Sequence, residues 1–184
     1  MRIVLGITGA TGALYAVKFL EKCTTAEKFL ILSHWGKYVL KEELGVSEED
    51  LKTWVKHIFS NEEMTSPLAS GSNSFDACLI LPCTISTLGK IANGIGDNLI
   101  TRVAQVAIKE GRRLVLCPRE TPLSALALEN CLKLSRIGVT IMPISPPFYI
   151  HPSSIEDLAG GFVDKVLQIL GLESSKGWRE EELE

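Results

Sequence analysis

The chain has no CxxC spacing, and its cysteines are odd in number: Cys23, Cys78, Cys83, Cys117 and Cys131. They lie in apolar runs such as LILPC and LVLC, so they read as buried thiols of a reducing compartment. That excludes a disulfide framework or a zinc ribbon. Histidine is scarce. His34, His57 and His151 are far apart and form no HxxH-type pair, so no metal site is expected. There is no excess of positive charge, the formal net charge being −3, which argues against a nucleic-acid binder. No window approaches the ~20 apolar residues needed to cross a bilayer. The oily N-terminus is interrupted by Gly6, Thr8, Gly9, Thr11 and Gly12, and Lys18 and Glu21 follow directly, so it reads neither as a signal peptide nor as a span. A cytoplasmic location is expected. Internal repeats and interdomain linkers are missing as well. What remains is 184 residues, 46% of them apolar, enough for one well-buried domain. The expected division is one α/β domain over 1–171 and a polar tail over 172–184, with Trp178 and Leu183 as its apolar anchors. A mean hydropathy of +0.19 hints at buried subunit interfaces.

Strand-like and helix-like segments alternate along the chain. Strands are expected at Arg2–Ile7, Phe29–Ser33, Phe75–Leu81, Leu114–Cys117 and Val139–Met142. Helices are expected at Ala13–Cys23, Trp35–Leu44, Glu48–Phe59, Thr84–Ala92, Leu99–Glu110, Leu123–Arg136 and Ile155–Leu170. Ser47 and the acids after it give the third of these a start signal, and Ser66–Ser74 is a long polar loop. Continuous apolar strands separated by helices predict a three-layer α/β/α fold, a Rossmann-like (flavodoxin-like) doubly wound parallel sheet. In such sheets ligands bind beyond the carboxyl ends of the strands. The segments to inspect are therefore Thr8–Gly12, Ser33–His34, Pro82–Thr87, Pro118–Thr121 and Pro143–Tyr149.

The first of these follows a strand with GITGATG, whose glycines permit a tight turn and close approach of a phosphate to the next helix. A dinucleotide fits poorly. The second strand ends in Ser33-His34 without a ribose-binding acid, and there is no Tyr-x-x-x-Lys pair. A mononucleotide fits better, its phosphate meeting Gly9–Thr11 and the Ser33 hydroxyl. Arg102 to Arg119 holds five cations (Arg102, Lys109, Arg112, Arg113, Arg119) against the single acid Glu110. Arg102 and Lys109, seven apart, share a helix face. Arg112 and Arg113 suit a helix C-terminus. Arg119 on the rim is placed to grip a phosphate, with Glu120 beside it as a proton carrier or a salt-bridge partner. Trp35 is either a core or interface residue or a cation–π shield.

NLITRVAQVAIKEGRRLVLCPRETPLS, with GITGATG, ASGS and LPCTISTL upstream and FYIHP downstream, closely resembles the UbiX/Pad1-like flavin prenyltransferases, formerly labelled aromatic acid decarboxylases. The five motifs occur in order from residue 1 to about 171. The resemblance implies a metal-independent transferase that joins a dimethylallyl group from dimethylallyl phosphate to N5 and C6 of FMN. The prenylated FMN would serve a UbiD-type decarboxylase. It further implies that Gly9, Ala10, Thr11, Ser33, Thr84, Ile85, Ser86, Thr87 and Arg119 hold FMN, and that Tyr149 and Lys165 hold the prenyl phosphate. Glu43, Lys109 and Glu120 would be catalytic, and the sites would lie between the subunits of a homododecamer. Departures from the common pattern are Thr11 for Ser, Lys165 for Arg and Ile150 for His; none removes a functional group the mechanism requires, though Lys165 offers a point charge in place of a fork.

Two other readings share the first loop. An FMN-dependent decarboxylase of the cysteine-decarboxylase type requires an early catalytic His and an Asn-rich motif after the third strand. Here that segment is PCTISTLGK, without Asn until Asn93. A non-catalytic flavin carrier would tolerate loss of Lys109, Glu120 and Lys165, whereas an enzyme would not.

Overall fold

The computed structural model describes residues 1–174; Trp178 and Leu183, the expected anchors of the tail, lie outside them. Six parallel strands form one sheet: β1 (Arg2–Ile7), β2 (Glu27–Leu32), β3 (His57–Ser60), β4 (Ala77–Cys83), β5 (Arg113–Pro118) and β6 (Thr140–Ile141), in the order β3-β2-β1-β4-β5-β6. The helices are α1 (Ala13–Lys22), α2 (His34–Leu44), α3 (Glu48–Leu51), α4 (Ile85–Ala92), α5 (Leu99–Lys109), α6 (Ala125–Ser135) and α7 (Ile155–Leu170).

Successive strand side chains point to opposite faces, and both faces are apolar. Ile3, Leu5 and Ile7 of β1 join Phe19 of α1 and Phe162 of α7 on one side. Val4 joins Cys78, Ile80, Leu99 and Val103 on the other, under α4, α5 and α6. Gly6 lets α5 close on the sheet, because a Cβ there would stand 3.3 Å from Ile100. Among the described residues, no helix is long and apolar enough to cross a membrane.

One expected helix is not there. Ser47 and Asp50 do form a reciprocal cap, but α3 lasts a single turn and a 3-10 turn follows at Lys52–Trp54. The chain then extends into β3, which adds to the open edge of β2 with Phe29 opposite His57 and Leu32 opposite Ser60. Residues 56–60 carry enough β-branched and aromatic side chains for either state; the unpaired edge of β2 decides for strand. Without β3 the other five strands have the order 2-1-3-4-5, and with it the order becomes 3-2-1-4-5-6. In either numbering the strand order reverses between β1 and β4, which fixes where a ligand crevice opens.

Candidate active site

The crevice at that reversal is closed underneath by a threonine. Thr8, 3% exposed, donates its hydroxyl to the Pro82 carbonyl at 2.7 Å and accepts the Thr84 N–H at 2.9 Å. Above it lies a cleft of about 250 Å³ lined by Thr8, Gly9, Ser33, Thr84 and Thr87, with Trp35, Asn61, Ser86, Lys90, Asn98 and Ile100.

Three helices begin at this cleft. Ser33 caps α2 by accepting the Gly36 N–H at 2.9 Å, Thr84 caps α4 by accepting the Thr87 N–H at 3.2 Å, and Asn98 caps α5 by accepting the Thr101 N–H at 3.0 Å. Their positive ends converge on one space, which favours an anion there. Asn61 supports α5 by accepting the Ile100 N–H at 2.9 Å. Lys90 adds a cation at the cleft, steadied by Asp97 at 2.7 Å, which holds the Asp97 carboxyl below its ordinary pKa. Gly9 is the narrowest point, since a Cβ there would lie 2.3 Å from the Cβ of Trp35. Trp35 itself is 63% exposed, so it belongs to the cleft mouth and not to the core.

Several residues singled out in the sequence thus meet here: Gly9, Ser33, Thr84, Ser86 and Thr87, with Ile85 opening α4 between them. Asn61, Lys90 and Asn98 were not anticipated. Asn98 alone had a local signal, since it precedes an apolar periodic run with Thr101 three residues on. Asn61 reaches the cleft through β3, the strand the sequence pattern missed.

The first amides of α1 have an acceptor from the same chain. Gly12 turns the chain in a left-handed conformation (φ 102°), and the Glu43 carboxylate accepts the Gly12 N–H at 3.0 Å and the Ala13 N–H at 2.8 Å. Of the expected loop contacts, Ala10 is buried, Thr11 is exposed beside this cap, and only Gly9 lines the cleft.

The expected cluster of donor-binding groups does not form within one chain. Arg119 and Glu120 follow β5 on the rim and are exposed, Glu120 accepting the Thr121 N–H at 3.1 Å. Tyr149 is exposed in the loop before α7. Lys109 lies ten residues along α5 from the cleft, about 15 Å at 1.5 Å per residue. It pairs there with Glu110 beside Gly71. Lys165 donates to Gln168 near the far end of α7, whose Leu170 carbonyl is held by Arg113 at the start of β5. Both lysines therefore belong to the opposite half of the molecule.

Arg102 and Lys109 do share a face, which looks onto the polar loop 66–74. Arg102 donates to the Ala69 carbonyl at 2.9 Å. Arg112, expected only to complement a helix end, donates to the carbonyls of Gly71 at 2.7 Å and Asn73 at 3.0 Å and lies 4.4 Å over the Phe75 ring. Four thiols are buried and Cys131 is half-buried; none is paired. Burial pushes the Cys78 thiol up to about 12. Among the described residues, no group of three or more His, Cys, Asp or Glu is placed to hold a metal ion.

A parallel sheet of this order, with helix N-termini converging on a small cleft at its reversal point, defines a doubly wound nucleotide-binding α/β protein. The profile of the family described as Flavoprotein matches residues 1–170. A flavin prenyltransferase UbiX from Methanocaldococcus jannaschii is 44% identical over 181 residues, 97% of this chain and 98% of the relative. The solved structure of a dodecameric FMN-dependent UbiX-like decarboxylase from Escherichia coli O157:H7 is similar with a TM-score of 0.93 and 38% identity, covering 97% of this chain and all of that one. That of AnUbiX in complex with FMN and dimethylallyl pyrophosphate has a TM-score of 0.90 and 37% identity, over 97% and 98% of the two chains. The chain belongs to the flavoprotein family and, within it, to the UbiX-like flavin prenyltransferases.

Proposed function

We propose that this protein transfers a dimethylallyl group from dimethylallyl phosphate to FMN, releasing prenylated FMN for a UbiD-type decarboxylase. The observation that carries the reading is the convergence of three capped helix N-termini and Gly9 on one cleft at the reversal of the sheet. That cradle fits a single phosphate monoester. Ser33, Thr84 and Thr87 offer hydroxyls, the first turn of α4 offers the amides of Ile85 and Ser86, and Lys90 offers a charge. Gly9 packs directly on Trp35, with no room for a Cβ between them, and so fixes the cleft wall against which the nucleotide would lie; Ala10, Thr11 and the Arg119 guanidinium would complete its binding.

Bound reduced FMN supplies the nucleophilic N5 and C6 to which the five-carbon group becomes attached. The residues of the chain then have to neutralise a departing phosphate, take up the N5 proton as the first bond forms, and return a proton to the prenyl double bond as C6 gives up its own on ring closure. Arg119 grips the phosphate as the allylic C–O bond breaks, Tyr149 hydrogen-bonds it, and Lys109 and Lys165 supply further positive charge. Glu120, next to Arg119, passes the proton from the flavin to the released phosphate.

Because Lys109 and Lys165 lie far from the cleft of their own chain, this reading requires copies of the chain to complete each other's sites. Three features support a homo-oligomer of the dodecameric kind. The cleft is smaller than the ~300–1,000 Å³ usual for an enclosed ligand. Leu126, Leu128 and Leu132 are exposed along α6, and Phe148 and Tyr149 along the loop before α7. A related structure is dodecameric. We place the protein in the cytoplasm, with residues 1–171 as the FMN-binding domain and 172–184 as its tail.

The test is anaerobic incubation with reduced FMN and dimethylallyl phosphate, followed by mass measurement of the released flavin. A mass gain of one five-carbon unit supports the transferase. Unchanged FMN, with or without a decarboxylated acid, overturns it.

A further inference from the structure

Helix α7 carries Gly161 near its middle, where glycine weakens a helix and is kept for close approach of a neighbour. Gly161 has such neighbours. A Cβ there would stand 2.5 Å from Ile150 Cδ1 and 3.0 Å from Pro147 Cγ, both in the loop before α7. The bare backbone of α7 is therefore the seat on which this loop rests. The loop is tied at both ends as well. Ile144 donates its N–H to the Pro118 carbonyl at 3.1 Å, next to Arg119, and Ser153 donates its N–H and hydroxyl to Asp157 of α7 at 2.9 and 2.6 Å. Between these ties His151, in a left-handed conformation (φ 50°), donates its N–H to the Phe148 carbonyl at 3.1 Å. That bond closes a turn with Tyr149 and Ile150 at its centre. Two central residues of one turn do not move independently, so the seating of Ile150 on Gly161 sets the place of the exposed Tyr149.

We propose that Gly161 is a positioning residue: by admitting Ile150 and Pro147 it fixes the turn that presents Tyr149 to the prenyl phosphate. The role given to Tyr149 rests on the function proposed above; the seating of its turn on Gly161 does not. Positions 150 and 161 are complementary in size. Ile150 fills the space that a side chain at 161 would take, so a larger residue at one position demands a smaller one at the other. The Cδ1 of Ile150 can rotate away from a small intruder, whereas the ring of Pro147 cannot. The turn is therefore pushed outward in proportion to the side chain added at 161, and the Tyr149 hydroxyl moves with it.

The test uses the full chain with Gly161→Ala, Gly161→Val, Ile150→Ala and the Gly161→Val/Ile150→Ala double variant, assayed anaerobically at saturating reduced FMN. Gly161→Val should raise KM for dimethylallyl phosphate by about tenfold, with kcat and FMN affinity unchanged, because Tyr149 holds the phosphate in ground and transition states alike. Gly161→Ala should fall between it and the wild type. Ile150→Ala alone should also raise KM, since the turn loses its seat, and the double variant should bind the donor better than either single one. Tyr15, Tyr38 and Tyr149 are the three tyrosines of the chain, so fluorotyrosine labelling gives three resonances, and Tyr149→Phe assigns the one of interest. The Tyr149 resonance should shift in the order of KM, while that of Tyr38 stays in place. An unchanged KM and an unmoved Tyr149 resonance in Gly161→Val would overturn the proposal, as would a double variant no better than the single ones. FMN affinity and thermal midpoint falling together with donor binding would mark a packing residue only, and overturn it equally. If Gly161→Val does not fold, Gly161→Ala decides in the same way, paired with Ile150→Val, which deletes the Cδ1 that the added carbon meets; failure of both to fold overturns the proposal. A wild-type protein that forms no prenylated FMN refutes the reading of function, while the Tyr149 resonance still decides whether Gly161 seats the turn.

Discussion

Thr8 and Thr84 meet across the gap between β1 and β4, the Thr8 hydroxyl accepting the Thr84 N–H at 2.9 Å while donating to the Pro82 carbonyl at 2.7 Å. This one hydroxyl ties the glycine turn after β1 to the N-cap of α4, so the two walls of the cleft have a fixed separation. Thr8→Val keeps the shape and leaves a buried N–H without its acceptor. It should lower stability by about 1–3 kcal/mol in urea unfolding and weaken FMN binding in the same titration. Stability and affinity both unchanged would remove the hydroxyl from its role as a clamp.

At the mouth of the cleft, Gly9→Ala should abolish FMN binding. The added carbon would meet the Cβ of Trp35 at 2.3 Å, and no rotamer of the indole relieves a Cβ contact. Trp35→Ala retains that Cβ and should not rescue Gly9→Ala in a fluorescence titration of FMN. Recovery of binding in the double variant would show that the ring, and not the backbone of α2, sets the limit.

Thr84 has two duties that substitution can separate. Thr84→Ala removes the acceptor of the Thr87 N–H and should cost about 1 kcal/mol as a lost N-cap, together with most of the phosphate affinity. Thr84→Ser keeps the hydroxyl and should restore both. Calorimetric titration of FMN with the three proteins checks this; equal affinities would place the phosphate elsewhere.

Arg112 braces the polar loop through Gly71 and Asn73 and covers Phe75. Arg112→Lys loses the fork that reaches both carbonyls at once. Amide hydrogen exchange over residues 66–74 should then accelerate by roughly tenfold, with the sheet strands unaffected, as expected for about 1.4 kcal/mol of local opening. Unchanged exchange would refute the brace.

The alkaline limb of stability should be governed by the buried thiols. Burial raises Cys78 from an unfolded value of 9.0 to about 12, and Cys83 and Cys117 are pushed up as well. Such a thiol stays protonated in the fold while the unfolded chain ionises. Its contribution is thus complete below pH 9 and is lost between 9 and about 12, at most about 1.4 kcal/mol per pH unit. Cys78→Ala should have a shallower fall in urea midpoint from pH 9 to 10.5 than the wild type. Parallel curves would mean that the thiol titrates alike in both states.

Much of this molecule was legible along the chain. The five apolar runs that became β1, β2, β4, β5 and β6 were visible because a strand buried on both faces has to be continuously apolar. The glycine turn, Ser33 and the Thr84–Thr87 segment were visible because helix starts and ligand rims use the same residue types. The anion cradle was therefore half readable, through its N-caps.

The remainder depended on contacts that no local pattern encodes. Residues 57–60 became a strand because β2 had an open edge to fill, and this brought Asn61 to the cleft. Lys90 faces the cleft through the packing of α4, and Arg112 grips a loop some forty residues earlier in the chain. Sequence by itself determined that this is a doubly wound α/β chain with a nucleotide loop, because periodicity and turn chemistry are local. Which helix starts open onto the cleft was decided by tertiary structure alone, since α2 crosses the β1–α1 turn and sets the Glu43 carboxylate on Gly12 and Ala13.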